Sequence, residues 1–518
     1  MTPPSTDRSR LFIFASLLLG VFTFVIVLLF HNLADGDLWA KLSLGAAVWN
    51  HGKLPSTDVF AFTPVLPVYV DHEWGSGLIF FTMLKWFGPS SLMWLKVFLA
   101  FTALACAFAI AARAKVSWPV LLALALPCAF CVLPGYVPVI RSHAFTYALF
   151  ALTLLLLELI RGGRRWPAFA LVPVMVLWVN VHGGFVAGLG TIGVYAAVSV
   201  IERKGRTILL SAFAACALAT LVNPYGYKYW GYVLPAVFHK RPDIAEWQPM
   251  PWWGVDSFLG FRILFVLTIV ALILGRRTTV RSWAGLGMLF ITVCLALKSR
   301  RHAPFFGVAA LAFAGPYFAS ALTALAGTVR AKWPRAPGAA QAVFAAHLIA
   351  ALVVMNSLLS GASFHPLAPV GQFPVREADI LARASLPGNL AVPFHWGSYA
   401  SWRLYPKIKV SMDGRYEAAY PESSYEMNRD FFAKRGADWA RLLQHHEVDF
   451  IMLELSAPGL RPEDLAAKDF VTVWAQPGVS ALLVRQRHAA ALQKIIAELP
   501  AETIEPLDPS IPAAWPVF

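Results

Sequence analysis

Runs of roughly 16 to 23 residues almost free of charge recur along this chain, and the first, residues 11–30, carries no charged side chain at all. A helix needs ~20 apolar residues to cross the hydrocarbon of a bilayer, where every backbone polar group must be bonded internally. Only 14% of the 518 residues are charged and 58% are hydrophobic. Ordinary soluble domains sit near ~25% and ~45–50%. The expected fold class is therefore a polytopic α-helical membrane protein. Residues 11–30 exceed the ~7–15-residue core of a signal peptide, and no small-x-small site follows, so they read as a retained transmembrane helix.

A net charge of +14 resembles the footprint of a nucleic-acid binder, but its placement argues otherwise. Six short segments hold sixteen cations against only Asp7 and Glu202, which accounts for the whole excess. They centre on Arg8, Arg113, Arg161, Arg203, Arg276 and Arg330. Lys and Arg gather in cytoplasmic connections of membrane proteins. The charge thus reports topology, and no nucleic-acid partner is expected.

With those segments inside, the path follows. Crossings are expected at residues 11–30, 90–112, 116–134, 143–160, 166–181, 184–201, 207–222, 258–275, 282–297, 304–326 and 340–360. That is about eleven, with the N-terminus inside and the C-terminus outside. The short apolar stretch 75–87 would invert every later loop if it crossed, so it is laid in the interface. Composition changes near residue 361. The expected division is a membrane module, residues 1–363, with a first external loop at 31–89, and an external α/β domain, residues 364–518. In that domain "NLAVPF" and "VDFIMLEL" read as buried strands, and "FVTVWAQ" and "SALLVRQ" as a hairpin across Pro-Gly. "SYEMNRDFFAKRG" and "ADWARLLQHHE" read as helices. All five cysteines lie in apolar runs, and Cys128-x-x-Cys131 has no His or acidic neighbour, so that pair reads as buried small hydrophobes.

Chemistry is expected where ionisable groups gather at the external ends of helices. "HNLADGDLWA" places Asp35 and Asp37 at the mouth of the first helix. One aspartate suffices to cap the following helix. Two, separated by glycine, could hold a divalent cation such as Mg²⁺ or Mn²⁺, or one could act as general base. "VDHEWGSG" adds His72 and Glu73, which could bind a sugar, a metal or a phosphate. Arg141 and His143 in "VIRSHAF", and Arg300, Arg301 and His302 in "LKSRRHAPFF", fall outside against the positive-inside bias. Phosphate binding is one reason to hold guanidinium there, and snorkelling to lipid headgroups is the other. Asn180 and His182 in "WVNVHGGF" either line a site or cap a turn. Asp413 and Arg415 in "SMDGRYE" follow a strand, where they either meet substrate or pair with each other. Glu158, inside a helix, is expected to pair with the Arg161 cluster. No P-loop, G-x-S-x-G, HExxH or dinucleotide fingerprint is present.

"ADGDLWAKLSLGAAVWNHGKLPSTDVFAFTP" followed by "VDHEWGSGLIFF" resembles the first external loop of the GT-C-type membrane glycosyltransferases. These include protein mannosyltransferases, aminoarabinose transferases of lipid A and oligosaccharyltransferases. The motif resemblance covers about the first 80 residues, and topology carries it to about residue 360. It implies a transferase taking sugar from a polyprenyl-phosphate donor and passing it to an extracytoplasmic acceptor. For Asp35 or Asp37 it implies a base or metal role, and for the external arginines contact with the donor phosphate. It also implies a bacterial cytoplasmic membrane setting. One departure is the absence of WWDYG from the external domain, with only "PWWGVD" between helices. That argues against glycosylation of Asn-x-Ser/Thr. Two rival readings are a flippase of lipid-linked saccharides, which predicts charges midway in helices and broken helices in paired halves, and a non-catalytic polysaccharide-assembly subunit.

Overall fold

In the computed structural model the described residues are 5–137, 139–238, 244–254, 256–276, 282–332, 338–358, 366–368 and 371–499. Of the residues singled out above, Asp7 and Arg330 lie in helices but their side chains are outside this description. The chain divides into two compact units. One comprises Met1–Asn32 and Met93–Phe364, the other Leu33–Leu92 and His365–Phe518.

The first unit is helical. Each of the eleven apolar runs forms a helix or a helix pair. Six are long and apolar enough to cross a bilayer: Arg8–Phe30, Ser90–Arg113, Trp118–Tyr136, His143–Arg161, Phe185–Glu202 and Ala339–Asn356. Four more, Trp166–Val181, Arg206–Ala219, Leu259–Leu274 and Trp283–Lys298, are apolar but shorter. The run expected as one helix at 304–326 is broken. Arg300–Phe313 and Gly315–Leu325 meet at 64°, and counting them as one span gives seven. The cause is Pro316, which has no N–H to donate and whose ring would strike the carbonyl four residues earlier. The first half of the pair is the centre of this unit, with every residue from Ala303 to Phe313 buried. A helix apolar all round belongs in such a place.

Two intrahelical charges have partners. Glu158 lies 3.4 Å from Arg161, as expected, and also accepts a 2.8 Å hydrogen bond from the Tyr195 hydroxyl. Lys96 was not foreseen. It is fully buried in the Ser90–Arg113 helix, and its ammonium donates to the His31 carbonyl at 2.5 Å. That carbonyl sits just past the end of the Ser5–Phe30 helix, where the last turn leaves acceptors unsatisfied. Cys128 and Cys131 are buried.

The second unit is built on a five-stranded mixed sheet. β1 (Gly388–Ala391), β2 (Ile408–Val410), β3 (Phe450–Glu454), β4 (Phe470–Gln476) and β5 (Ser480–Arg485) stand in the order β2-β1-β3-β5-β4. β1 runs parallel to β2 and β3, and β5 is antiparallel to both β3 and β4. The expected strands and hairpin are therefore present, and the helix Phe394–Leu404 carries the chain from β1 to β2. The expected helix at "ADWARLLQHHE" shrinks to Arg441–His445. Phe431, Leu442, Ile451, Leu453, Phe470 and Leu483 form one core of the sheet.

Residues 33–92, expected with the membrane module, make their contacts with this sheet unit. Ala61 bridges Val410 of β2, Phe62 N–H donates to the Val410 carbonyl at 3.1 Å, and the Thr63 hydroxyl donates to the Ser411 carbonyl at 2.6 Å. The helices Gly36–His51 and Trp74–Phe87 cross at glycines. A Cβ at Gly45 would lie 2.2 Å from the Gly77 carbonyl oxygen, and one at Gly77 would lie 2.6 Å from that of Lys41. Only glycine permits this approach.

Candidate functional site

Each unit brings together its own set of the expected residues. In the sheet unit, Asp35 is the N-cap of Gly36–His51, and its Oδ1 accepts the Leu38 N–H at 3.2 Å. Asp37 lies in the first turn of the same helix and is exposed. A negative charge there is favoured by the positive end of the helix. The pair thus splits into one aspartate committed to the backbone and one presented outward.

Four residues further along, Lys41 turns into the interior. Its ammonium lies 3.1 Å from Asp71 and 2.9 Å from Glu73. The Tyr69 hydroxyl donates to Asp71 at 2.6 Å, and His72 approaches Glu73 at 3.6 Å. Burial pulls the Lys41 ammonium toward losing its proton, but Asp71 and Glu73 outweigh it and hold the group above the usual lysine range. Burial likewise pushes the Asp71 carboxyl up, and Lys41 and His72 pull it net below its ordinary value. Glu73, read as able to bind a sugar, a metal or a phosphate, pairs with Lys41, a residue that its surroundings in the sequence gave no reason to single out.

Of the alternatives open for Asp413 and Arg415, the structure shows the two paired with each other. Their side chains are only 2% and 3% exposed. Arg415 Nε donates to Asp413 at 2.8 Å, and its Nη1 meets Asp58, which is also fully buried. The guanidinium stacks 4.7 Å from the Phe60 ring centre and 5.4 Å from that of Tyr69. Burial opposes the charge on Arg415, while Asp413 and Asp58 more than restore it. Sealed and doubly paired, these groups fasten residues 58–71 to the sheet.

In the helical unit the residues expected around a phosphate do converge. Glu246, in a short 3-10 turn, lies 2.9 Å from Arg141 and 3.4 Å from Arg301. Arg301 covers the Trp247 ring at 4.2 Å. The loop is pinned by Arg300 N–H donating to the Gln248 carbonyl at 3.0 Å and by the Ser299 hydroxyl on the Glu246 carbonyl at 3.2 Å. Tyr147 OH donates to the Arg301 carbonyl at 3.0 Å. His302 stands 6.3 Å from Trp247, ring to ring. Burial pushes the Glu246 carboxyl up, but Arg301 and Arg141 outweigh it and hold it at about 2. Glu246 is visible in the sequence only as one more external acid, and its role as the shared partner of two arginines emerges from the fold.

His143 extends this set to His182, with ring centres 6.5 Å apart. His182 Nδ1 receives the Gly184 N–H at 2.8 Å and stands 2.8 Å from the Thr146 hydroxyl, which itself accepts from Trp178 Nε1. A backbone N–H can only donate, so Nδ1 is an acceptor and the ring proton is on Nε2. Asn180 donates to the carbonyls of Val176 and Val222, both at 2.8 Å, holding two helix ends together. This is the capping alternative of the two open for it.

Of the four carboxylate oxygens that Asp35 and Asp37 could offer Mg²⁺ or Mn²⁺, Asp35 Oδ1 accepts a backbone N–H, and among the described residues no group of three or more His, Cys, Asp or Glu comes together.

No protein-family model matches this chain, and no curated protein matches it in sequence. Solved structures do match. The chain is similar to the apo oligosaccharyltransferase of Archaeoglobus fulgidus, with 13% identity and a TM-score of 0.52 over 85% of this chain and 70% of that one. It is also similar to ArnT from Cupriavidus metallidurans bound to undecaprenyl phosphate, with 12% identity and a TM-score of 0.50 over 92% of this chain and 98% of that one. Both are GT-C glycosyltransferases. At such identity the likeness is one of fold, and the fold of this multi-pass membrane protein is that of the GT-C group.

Proposed function

From the GT-C fold as premise, we propose that this chain is a glycosyltransferase moving a sugar from a polyprenyl-phosphate carrier to an acceptor hydroxyl outside the cytoplasm. The observation that carries the reading is the convergence of Arg141 and Arg301 on the single carboxylate of Glu246. Both guanidiniums are held in place by this one shared carboxylate. Their side chains are 21% and 20% exposed, so a ligand can reach them. Guanidinium binds phosphate oxygens bidentately. The ArnT neighbour was crystallised with undecaprenyl phosphate, which supports the same class of donor here.

In this reading Asp37 takes the proton of the acceptor hydroxyl. The hydroxyl oxygen forms a bond to the anomeric carbon, the bond from that carbon to the phosphate oxygen breaks, and the electron pair leaves with polyprenyl phosphate. Arg141 and Arg301 stabilise the charge gathering on the departing phosphate, as preorganised groups do without reorganising. Asp35 serves by shaping the helix end that presents Asp37.

The test is transfer from radiolabelled polyprenyl-phosphate sugars by membranes lacking the native protein and complemented with wild type, Asp37→Asn or Arg301→Ala. Label should reach an acceptor with wild type only, while both variants insert normally. Full activity in Asp37→Asn removes it as the base. Absence of transfer with wild type across several donors overturns the transferase and favours the flippase, which the break at Pro316 and the intrahelical charges Lys96 and Glu158 support.

A further inference from the structure

In the sheet unit β1 lies between β2 and β3 and runs parallel to both. The chain leaves β1 for β2 on one side and then returns past it to β3 on the other. In open sheets the loops diverge at such a reversal, and ligands bind at the carboxyl ends of the strands beside it. Those ends belong here to β1 and β3, and each brings one ionisable side chain to the place. His395 stands in the first turn of the helix that follows β1, and Glu454 is the last residue of β3. His395 Nε2 lies 3.3 Å from Glu454 Oε2.

The pair is held from behind and open in front. The Ser456 hydroxyl donates to Glu454 Oε1 at 3.0 Å, which leaves Oε2 to the imidazole. The His395 ring meets that of the buried Trp396 at 5.6 Å. A Cβ at Gly397 would lie 1.9 Å from the Met412 carbonyl oxygen, so this first helical turn is pressed onto the chain that follows β2. The His395 side chain is nevertheless 51% exposed, and that of Glu454 25%. A carboxylate only accepts, so Nε2 carries the ring proton and Nδ1 of the neutral ring is an acceptor. The helix also begins beside the one that carries the aspartates. A Cβ at Gly36 would lie 3.9 Å from the His395 carbonyl oxygen, and Trp39 packs edge-on against Tyr399 at 5.0 Å. Asp37 and His395, both exposed, thus stand in the first turns of two helices whose starts are in contact.

We propose that His395 is an acceptor-binding residue, whose Nδ1 holds a hydroxyl or amide N–H adjoining the hydroxyl that gives its proton to Asp37. The acceptor class that follows is a molecule with two hydrogen-bond donors side by side, one reacting and one held. Glu454 is the positioning residue. It fixes the ring and its tautomer, as a carboxylate does behind a working imidazole. A pair this exposed adds little to stability, so stability is a poor reason for it. This role rests on the glycosyl-transfer reading and supplies the group that sets the acceptor against the base.

Burial pulls the His395 ring toward its neutral form, Glu454 pulls it toward the charged one, and burial prevails. The other acidic groups beside it are Asp35 and Asp37 on the adjoining helix start. The experiment is transfer from radiolabelled polyprenyl-phosphate sugars by membranes carrying the full chain, at a series of pH values between about 5 and 8, where histidine titrates. Wild type is compared with His395→Leu, His395→Gln and Glu454→Gln. Wild type should gain rate as pH rises through the ring's titration, since only the neutral ring accepts at Nδ1. His395→Leu should lose at least ~10-fold. His395→Gln, whose carbonyl still accepts, should recover part of that loss without the pH step. In Glu454→Gln the step should move to lower pH, because the carboxylate that favours the charged ring is gone. Transfer by His395→Leu at the wild-type rate, or a pH step that persists in His395→Gln, overturns the role of His395 and leaves the transferase standing. No transfer by wild type at any pH removes the transferase reading and this role with it.

Discussion

Asp35 and Asp37 differ by two positions and do different work. Asp35 accepts the Leu38 N–H and caps the helix, so Asp35→Ala should lower stability by about 0.5–2 kcal/mol, read as a drop in unfolding temperature. Asp37→Asn should leave that temperature in place and reduce transfer at least ~100-fold, the usual lower limit for a lost general base. The "DGD" pattern is legible, because a cap and a second carboxylate in the first helical turn are local properties. Lys41 is not legible in the same way. It sits four residues on in an amphipathic helix, where a lysine ordinarily points to water, and nothing nearby announces that Asp71, thirty positions later, will meet it. A different residue gives a pH signature. Burial pushes the Glu377 carboxyl up to about 7, and the hydrogen bond with Ser480 only partly offsets it. In the unfolded chain that group titrates near ~4.3. Between those values the folded state holds the extra proton, so stability falls as pH rises and is lower by roughly 3 kcal/mol well above pH 7. Wild type should therefore lose more unfolding temperature between pH 5 and pH 8 than Glu377→Gln does.

Among the elements, the crossed pair Gly36–His51 and Trp74–Phe87 is held by close backbone contact at Gly45 and Gly77 and by the Lys41, Asp71 and Glu73 ion group. Removing one partner of a buried ion group leaves uncompensated charge, at a cost of about 3–5 kcal/mol. Lys41→Met should accordingly depress the unfolding temperature strongly, and adding Asp71→Asn should recover part of the loss. A single variant as stable as wild type would show that the group contributes nothing net. The strands were readable because β1, β3 and the β4–β5 hairpin are apolar runs bounded by turn residues. β2 escaped because it is three residues long with an exposed lysine, Lys409, at its centre. The break at Pro316 does not show in an apolar run, since composition does not register a missing N–H.

For the whole molecule, the division into two units does not follow the order of the chain. Composition marks a boundary near residue 364 but says nothing of where residues 33–92 go, because their destination is fixed by pairings more than 300 positions away: Ala61 with Val410, Thr63 with Ser411, Asp58 with Arg415. A fragment of residues 365–499 should therefore lack a cooperative thermal transition. Residues 33–92 joined to it by a flexible linker should restore one, measured by circular dichroism. A cooperative transition in the short fragment would show that the sheet closes without its first segment.

That same discontinuity sets a timetable. The ribosome delivers Leu33–Leu92 first and must then make the 272 residues from Met93 to Phe364 before the sheet strands exist. At ~5–20 residues per second this takes about 15 to 50 s. Throughout it, Asp58, Thr63 and the edge at Ala61 have emerged without the groups that will complete them. The early segment is thus a client of chaperones and a target for proteases for as long as synthesis lasts. A stop codon ahead of the strand Ile408–Val410 deprives residues 58–63 of the partners at Val410, Ser411 and Arg415 that complete them.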